Sequence, residues 1–204
     1  MDFYTNPLSP NCRKVDAVAK HLGLELDTKL IDVRKGEHRT PAYLAINPNG
    51  MIPTLVDGDL VLWESNAIQC YLASKTDNDL WPKSNLRYDI MKWQAWELAH
   101  FGAATRAITF QRIVKPILGL GVADEARCKE EEDNVKRYGA VLDAALKGKR
   151  FLCNDQLTLA DFCVASTLAF AEHARFPIGD FTNIRRWLAT LDEQPAWRAS
   201  KPPM

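Results

Sequence analysis

The sequence has no net charge, no long hydrophobic run and no internal repeat. Lysine plus arginine and aspartate plus glutamate number 26 each, so the formal net charge at pH 7 is zero. A neutral chain has no excess positive charge to attract nucleic acid or an anionic membrane, and neither is predicted as a partner. The N-terminus lacks a basic region followed by an apolar core, and no run of about 18 apolar residues occurs elsewhere. These absences predict a cytoplasmic protein.

Cysteine is scarce and scattered. The five cysteines are odd in number and form no CxxC pair or Cys/His cluster: Cys12, Cys70, Cys128, Cys153 and Cys163. This spacing argues against both a disulfide framework and a zinc site, so no metal is predicted. With 47% hydrophobic and 25% charged residues, the composition is that of an ordinary globular protein of one large or two modest domains.

Strand and helix signals alternate in the first part of the chain. Ser9 and Pro10 are the residues expected at the N-cap and first position of a helix, and Asp57-Gly58-Asp59 is a turn between two apolar runs. The predicted strands are 2–4, 28–33, 54–56 and 60–63, and the predicted helices are 9–22, 40–45 and 67–75. A helix between the first two strands requires them to be parallel, whereas the hairpin is antiparallel. The pattern therefore predicts a mixed four-stranded sheet with helices on its faces.

Strand signals vanish after a polar, turn-rich segment that begins near Asp77. Helices are predicted at 87–114, 124–146, 158–172 and 183–191, with a last turn from Pro195. Thr158 and Asp161 have the spacing of a capping box at the start of an almost wholly apolar helix. We therefore predict a sheet domain at 1–77, a linker at 78–86 and an all-helical domain at 87–204.

A proline at the start of a predicted strand marks the candidate binding site. Pro53 cannot donate to a strand ladder, and an Ile52–Pro53 bond can be cis, which would turn main-chain N–H and C=O groups outward to pair an extended peptide. The next helix begins near Glu64 and Ser65, and its unpaired N–H groups beside the proline suit a carboxylate. A short peptide with an amino-acid head group fits both features. An ordinary edge-strand proline followed by a capped helix is the alternative.

Four motifs, in order along the chain, resemble those of the cytosolic glutathione transferases: Ser9-Pro10-Asn11-Cys12-Arg13-Lys14-Val15, Asn47-Pro48 with Ile52-Pro53-Thr54-Leu55, Glu64-Ser65-Asn66-Ala67-Ile68, and Leu157-Thr158-Leu159-Ala160-Asp161-Phe162. The resemblance covers the whole chain and points to the bacterial, serine-type, theta-like members. It implies a thioredoxin-like α/β domain with a mixed four-stranded sheet, followed by an all-α domain. It also implies glutathione as co-substrate, a small hydrophobic electrophile, a homodimer and a role in detoxification.

The resemblance also implies roles for single residues in glutathione binding. The main chain of Ile52, before Pro53, would pair with the cysteinyl amide of glutathione. Glu64 would bind the ammonium group, while Ser65 and its helix N-terminus would bind the α-carboxylate. Three charged loop residues are candidates for the glycyl carboxylate, although each is also consistent with a solvated loop charge: Lys35, His38 and Arg39.

Two positions of the expected glutathione site depart from the family pattern. Gly50 stands where some relatives carry a histidine, and Asn66 stands where some carry an arginine. Both differences remove a cation from the expected pocket, so its charge balance and its affinity for glutathione are left open by the sequence.

Ser9 is the candidate catalytic residue. The reaction needs a thiolate from a thiol whose free pKa is about 8.5, and lowering that pKa by about two units takes about 2.7 kcal/mol. A hydroxyl hydrogen bond to the anion together with a helix N-terminus is of this size, and Ser9 supplies both. Asn11 and Thr5 are reserve candidates, and activation by a backbone group or water is the alternative in which Ser9 only caps its helix. Cys12, at the second position of a glutaredoxin-like pattern, is expected to be a small core residue.

The electrophile pocket is expected between the domains, against the first long helix of the second domain. A helical projection places one broad set of side chains on the same face: Trp93, Trp96, Glu97, His100, Ala104, Ala107, Ile108 and Gln111. We predict Phe101, Ala104, Ile108 and Gln111 as pocket residues. The two tryptophans are also consistent with the core of the helical domain.

The function predicted from these residues and the resemblance is transfer of the glutathione thiolate to a hydrophobic electrophile, by substitution or conjugate addition. One alternative is a glutathione-dependent peroxidase, thiol reductase or isomerase on the same scaffold. The other is a non-catalytic glutathione transferase-like protein with a binding or regulatory role. Activity toward a peroxide but not toward a chlorinated aromatic would favour the first alternative, and failure to bind immobilised glutathione would favour the second.

Overall fold

The computed structural model describes residues 1–202, so Pro203 and Met204, the last residues of the predicted helical domain, lie outside the described residues. Contacts divide the chain into two compact units. The first unit holds residues 1–82 together with the chain from Gln194 onward, and the second holds residues 83–193. Within the described part of the chain, no helix is long and apolar enough to cross a membrane.

The first unit is built on a four-stranded sheet of order β2-β1-β3-β4. Its strands are β1 (Asp2–Thr5), β2 (Asp27–Leu30), β3 (Thr54–Asp57) and β4 (Leu60–Trp63). β1 is parallel to β2 and antiparallel to β3, and β3 is antiparallel to β4, which confirms the predicted mixed sheet. β2 ends earlier than predicted because Asp32 accepts hydrogen bonds from the N–H groups of Arg34 and Lys35 and starts a 3₁₀ turn.

Three helices accompany the sheet: α1 (Pro10–His21), α2 (Pro41–Ile46) and α3 (Ser65–Ser74). Ser9 is the N-cap of α1 and proline occupies its first turn, as the sequence predicts. α1 packs against α3 and buries Val15 and Val18 completely. Phe3 and Leu55 of the sheet are 2% and 1% exposed, and these apolar side chains form the core of the unit.

The second unit is entirely helical. Its first helical run consists of α4 (Leu86–Trp96), a π-helical turn (Glu97–Phe101), α5 (Gly102–Thr109), a second π-helical turn (Phe110–Val114) and α6 (Lys115–Ile117). The helices α7 (Glu125–Ala145), α8 (Leu159–Ser166) and α9 (Thr182–Asp192) follow. The predicted helix 87–114 is helical throughout, but two of its turns have the wider π spacing. At the first of these turns, Gly102 leaves room for the buried Glu97, because a Cβ there would lie 2.0 Å from Glu97 Oε1.

α8 is wholly buried and shorter than the predicted helix 158–172. After Ser166 the backbone N–H groups bond three residues back rather than four, as in Thr167 N–H to Val164 O and Leu168 N–H to Ala165 O. This tighter pattern ends the α-helix and continues the chain as a series of turns. The prediction for this segment was therefore right in position and wrong in length.

The predicted capping box at the start of α8 is present. Asp161 is fully buried and accepts four hydrogen bonds, from Leu152 N–H at 2.8 Å, Thr158 N–H at 2.9 Å, Thr158 Oγ1 at 3.1 Å and Trp187 Nε1 at 2.9 Å. Burial raises the pKa of Asp161 to about 6, and the donated hydrogen bonds oppose that rise. This carboxyl group therefore joins the start of α8 to the preceding loop and to α9.

The last helix, α10 (Pro195–Ala199), groups with the first unit and packs against α1. The guanidinium carbon of Arg13 lies 3.6 Å from the centre of the Trp197 ring, a cation–π geometry. The sequence prediction places α10 in the helical domain, whereas the contacts of α10 group it with the sheet unit. The predicted boundaries at 77, 86 and 204 are otherwise untested and stay a prediction.

Candidate functional site

The main chain before β3 carries the open groups of the site. The Ile52–Pro53 bond is cis, as the sequence predicts. Pro53 is buried and Ile52 is half-buried. Within residues 1–202, neither the N–H nor the C=O of Ile52 has a hydrogen-bond partner. These two groups can therefore pair with the backbone of an extended ligand.

The preceding carbonyl group, by contrast, is held firmly. Met51 O accepts hydrogen bonds from Tyr43 Oη at 2.6 Å and from Asn47 Nδ2 at 2.8 Å. Thr54 Oγ1 lies 2.9 Å from Tyr43 Oη and 3.0 Å from Asn47 Nδ2. Tyr43, Asn47 and Thr54 are all at most 4% exposed, so these contacts form a buried polar cluster below the loop.

The start of α3 lies at the other side of the candidate site. Glu64, the N-cap residue, has φ 70° and ψ 106°, a conformation that costs a non-glycine residue about 1 to 3 kcal/mol. Its side chain is exposed and forms no ion pair with any residue the structure describes. Ser65 is 8% exposed, and the first N–H groups of α3 have no partner inside the helix. This helix start can bind a carboxylate and an ammonium group side by side.

The start of α1 is joined to the start of α3. Ser65 Oγ donates to Asn11 Oδ1 at 3.4 Å, and Lys14 Nζ donates to Asn66 Oδ1 at 2.9 Å. The structure thus brings Asn11, a reserve catalytic candidate, next to Ser65, a predicted glutathione ligand. An ammonium group also lies beside Asn66, where the sequence lacks the arginine of some relatives.

Ser9 lies at the start of α1 and contacts Cys12, but the two residues differ in exposure. Ser9 Oγ accepts from Cys12 N–H at 3.4 Å, and its side chain is half-buried. Cys12 is 1% exposed, and burial raises the pKa of its thiol, although side-chain hydrogen bonds from Ser9 and Thr5 act in the opposite direction. Cys12 is therefore the buried core residue that the sequence predicts, and Thr5, 7% exposed, is turned toward it.

Two of the three predicted cations lie next to Gly50. A Cβ on Gly50 would be 2.9 Å from His38 O and 3.0 Å from Arg39 Nη1. The Arg39 side chain therefore fills the space that a side chain at position 50 would need, directly before Met51 and Ile52. Arg39, from a different part of the chain, thus brings a cation to the space beside Gly50.

The three candidate cations differ in what they already contact. Lys35 Nζ lies 3.9 Å from Asp32 Oδ2, and its side chain is 74% exposed. His38 Nδ1 is buried and has no hydrogen-bond partner among residues 1–202, and burial together with the charge of Arg39 lowers its pKa. Arg39 forms no ion pair in the described part of the chain. Arg39 is therefore the cation with the most open hydrogen-bonding capacity.

The predicted electrophile residues are all in the second unit and are buried. Phe101 and Ile108 are 0% exposed, Ala104 is 2% exposed and Gln111 is 6% exposed. Phe101 stacks on Trp96, with ring centres 5.5 Å apart. The Gln111 Oε1 atom accepts from Asp124 N–H at 3.1 Å and from Lys115 Nζ at 3.3 Å. Their predicted role in binding an electrophile stays a prediction.

Sequence reasoning missed the buried cluster of Tyr43, Asn47 and Thr54. Asn47 stood inside a recognised motif, but its contact with Met51 O could not be read from the motif. Tyr43 gave no signal, because one aromatic residue on a short helix predicts only a core contact. Among the described residues, no group of three or more His, Cys, Asp or Glu side chains could hold a metal ion.

Two family models match this chain. The N-terminal domain of glutathione S-transferase matches residues 8–75, and the C-terminal domain of glutathione S-transferase matches residues 103–195. Together they cover more than half of the sequence, and each lies mainly within one of the two units.

Curated relatives and solved structures agree with these matches over the full length. The chain is 32% identical to glutathione S-transferase D7 of Drosophila melanogaster, covering 97% of this chain and 87% of the relative. It is 34% identical to glutathione S-transferase 3 of Zea mays, covering 97% and 91%. The structure of maize glutathione S-transferase I with an atrazine glutathione conjugate superposes with a TM-score of 0.87 at 28% identity, covering 98% of this chain and 95% of that one.

Proposed function

The chain belongs to the glutathione S-transferase family of enzymes, and we propose that it transfers the thiolate of glutathione to small hydrophobic electrophiles. The family agrees with the one that the sequence motifs indicate, while the bacterial, serine-type subtype stays a prediction. The observation that carries the proposal is the open main chain of Ile52. It follows Gly50, against which Arg39 lies, by two residues, and the strand after it pairs Thr54 with Trp63, just before the start of α3. These three features match the three polar parts of glutathione.

Glutathione would bind first through its backbone and its amino-acid head. Its cysteinyl unit pairs with the N–H and C=O of Ile52 as an added strand would. The exposed carboxylate of Glu64 binds the ammonium group, and Ser65 with the first N–H groups of α3 binds the α-carboxylate. The strained backbone of Glu64 supports this role, because such conformations concentrate at ligand-binding positions.

For the glycyl carboxylate we propose Arg39 as the principal cation. A guanidinium group can form two parallel hydrogen bonds with a carboxylate, and Arg39 lies against Gly50, next to Ile52. His38 shares this location, but its lowered pKa makes it a neutral donor at neutral pH. Lys35 is less suited because its ammonium group already lies 3.9 Å from Asp32 Oδ2, whereas Lys35 and Arg39 are both exposed.

Ser9 is the group we propose to stabilise the thiolate. Its half-exposed hydroxyl lies at the positive end of the α1 dipole and can donate a hydrogen bond to the sulfur anion. Exposure favours Ser9 over Thr5, because Thr5 is only 7% exposed whereas Ser9 is half-exposed, and the side-chain oxygen of Asn11 already accepts from Ser65. With a chlorinated aromatic electrophile, the sulfur anion forms a C–S bond, the C–Cl bond breaks, chloride leaves, and the thiol proton passes to solvent.

The electrophile would bind against α4 and α5 of the second unit. Phe101, Ala104, Ile108 and Gln111 are the proposed lining, and because they are at most 6% exposed, the side chains that cover them must move before an electrophile can touch them. The maize relative bound to an atrazine conjugate supports chlorinated heteroaromatic compounds as test substrates for this chain. Detoxification, a cytoplasmic location and a homodimer, all predicted from the resemblance, remain part of this proposal.

Substitution of Ser9 tests the proposed chemistry. Ser9→Ala removes the hydrogen bond to the thiolate, so the pKa of bound glutathione should rise by about one unit or more, equivalent to at least about 1.4 kcal/mol. The measurement is the pH dependence of kcat/KM with a chlorinated nitrobenzene, together with calorimetric binding of glutathione. Ser9→Thr keeps the hydroxyl and the helix cap and should retain the wild-type pKa. An unchanged pKa in Ser9→Ala would assign the thiolate to a backbone group or water, and failure of the wild-type protein to bind glutathione would overturn the proposed function.

A further inference from the structure

The buried cluster at Met51 has a hydrogen-bond arrangement in which every proton can be placed. A carbonyl oxygen only accepts, so Tyr43 Oη must give its single proton to Met51 O at 2.6 Å. Thr54 Oγ1 must then donate to Tyr43 Oη and accept from Asn47 Nδ2. Asn47 uses its second amide proton for Met51 O and accepts from Asn49 N–H at 3.1 Å. The network has one consistent direction and is fully satisfied.

This network acts on Ile52 through the geometry of one peptide unit. Met51 O and the N–H of Ile52 belong to the same planar group, and that peptide bond is trans, since the cis bond follows Ile52. In a trans peptide the C=O and N–H vectors point in opposite directions. Two donors on Met51 O therefore turn the Ile52 N–H away from the buried cluster, toward the side on which it has no partner.

We propose that Tyr43 is a positioning residue for glutathione binding: its hydroxyl fixes the Met51–Ile52 peptide plane and so aims the Ile52 N–H at the cysteinyl unit. The inference rests on the proposed function. Tyr43 is 4% exposed, so the proposed role is indirect, through the peptide plane and not through contact with glutathione. Asn47 is the second donor to Met51 O. Without the Tyr43 hydroxyl, the Met51–Ile52 peptide plane would therefore be held by one hydrogen bond instead of two.

The test removes only the hydroxyl. In Tyr43→Phe, the dissociation constant for glutathione, measured by calorimetry, should rise about threefold to tenfold. The KM for glutathione should rise by a similar factor, while kcat at saturating glutathione and the KM for the chlorinated nitrobenzene stay within about twofold. A purely structural hydrogen bond would lower thermal stability without this selective change in glutathione binding.

Tyr71→Phe is the matched control. Tyr71 Oη donates to Asp57 Oδ2 at 2.7 Å in the same unit, so this variant loses a comparable tyrosine hydrogen bond away from Ile52. It should bind glutathione as the wild type does. Thr54→Val, which keeps both donors to Met51 O, should weaken glutathione binding less than Tyr43→Phe does.

The outcomes separate this inference from the function it rests on. If the wild-type protein binds glutathione and Tyr43→Phe binds it within twofold, the positioning role of Tyr43 is wrong and the transferase proposal stands. If Tyr43→Phe and Tyr71→Phe lose glutathione affinity equally, the effect is one of general stability, and the inference fails in that case too. If the wild-type protein does not bind glutathione, the proposed function itself fails.

Discussion

The starts of α3 and α8 are both helix N-termini with an acidic side chain, but their polar groups are used differently. At α8, Asp161 is buried and accepts four hydrogen bonds from within the chain. At α3, Glu64 is exposed, has a left-handed backbone and forms no ion pair with the residues described. The first arrangement stabilises the fold, whereas the second leaves donors and a carboxylate for a ligand. A helix N-terminus is therefore a binding site only where the chain has not already satisfied it.

The largest expected effect concerns the start of α8, where the polar groups are already hydrogen-bonded within the chain. Asp161→Ala removes the acceptor of four buried donors, and unsatisfied buried donors cost about 1 to 3 kcal/mol each before relaxation. We expect the free energy of unfolding, measured by urea denaturation at neutral pH, to fall by about 3 kcal/mol or more. The residual folded protein should bind glutathione normally. Asp133→Ala, which removes an 82% exposed carboxylate, is the control and should change the stability by less than about 0.5 kcal/mol.

The stability loss in Asp161→Ala should depend on pH in a defined direction. Burial raises the pKa of Asp161 from 3.8 to about 6, so the native state binds more protons than the unfolded state between these values. The stability contributed by the raised pKa is therefore complete below 3.8 and is lost as the pH rises through about 6. The difference between wild type and Asp161→Ala should widen as the pH falls through about 6. A difference that narrows instead would mean that the hydrogen bonds outweigh burial.

The next effect concerns Glu64 at the start of α3, where the carboxylate is free to bind a ligand. Glu64→Gln keeps the size of the side chain and removes the charge that would bind the ammonium group of glutathione. The dissociation constant of glutathione, measured by calorimetry, should rise about tenfold, or about 1.4 kcal/mol. The free energy of unfolding should change by less than about 0.5 kcal/mol, because Glu64 has no ion pair to lose. Glu25→Gln, at another exposed acidic residue of the same unit, should leave affinity unchanged, and equal affinities in both variants would contradict the role of Glu64.

Local sequence rules were enough to predict the capped start of α8 and much of the fold. Ser9 before Pro10 and Thr158 before Asp161 are caps that act within a few residues, and the strand directions follow from the connections between strands. The length of α8 was missed because its end depends on a change in hydrogen-bond spacing and not on a stop residue.

The open site was harder to predict because its parts come from distant segments. Ile52, Glu64 and Ser65 were proposed as ligands from motifs, but the approach of Arg39 to Gly50 depends on how the loop after β2 folds back. The hydrogen bonds to Met51 O require the hydroxyl of Tyr43 in α2, and no periodic sequence pattern indicates that this tyrosine has such a role. Sequence therefore predicts the groups that a helix or strand offers by itself, and the fold decides which side chains complete them.

The smallest expected effect tests whether the placement of Arg39 beside Gly50 matters for glutathione affinity. Gly50 and Gly58 have almost the same left-handed backbone, with φ of 56° and 60°, so alanine at either position costs about 1 kcal/mol in conformation. Only at Gly50 does the new Cβ meet neighbours, at 2.9 Å from His38 O and 3.0 Å from Arg39 Nη1, while at Gly58 nothing lies within 4 Å. Gly50→Ala should displace the His38–Arg39 segment and weaken glutathione binding about threefold to tenfold by calorimetry, whereas Gly58→Ala should bind as wild type does.

A direct pair of substitutions completes this last comparison. Arg39→Met keeps a long apolar stem and removes the guanidinium group, and Lys35→Met does the same for the ammonium group that lies near Asp32. Because a carboxylate binds a guanidinium group through two parallel hydrogen bonds, the loss of glutathione affinity should follow Arg39 and not Lys35. The loss should also shrink as salt concentration rises, since the contact is partly exposed and is screened. A larger loss of glutathione affinity in Lys35→Met would assign the glycyl carboxylate to Lys35, in the 3₁₀ turn that begins at Val33. The glutathione site would then extend beyond Gly50 to that turn.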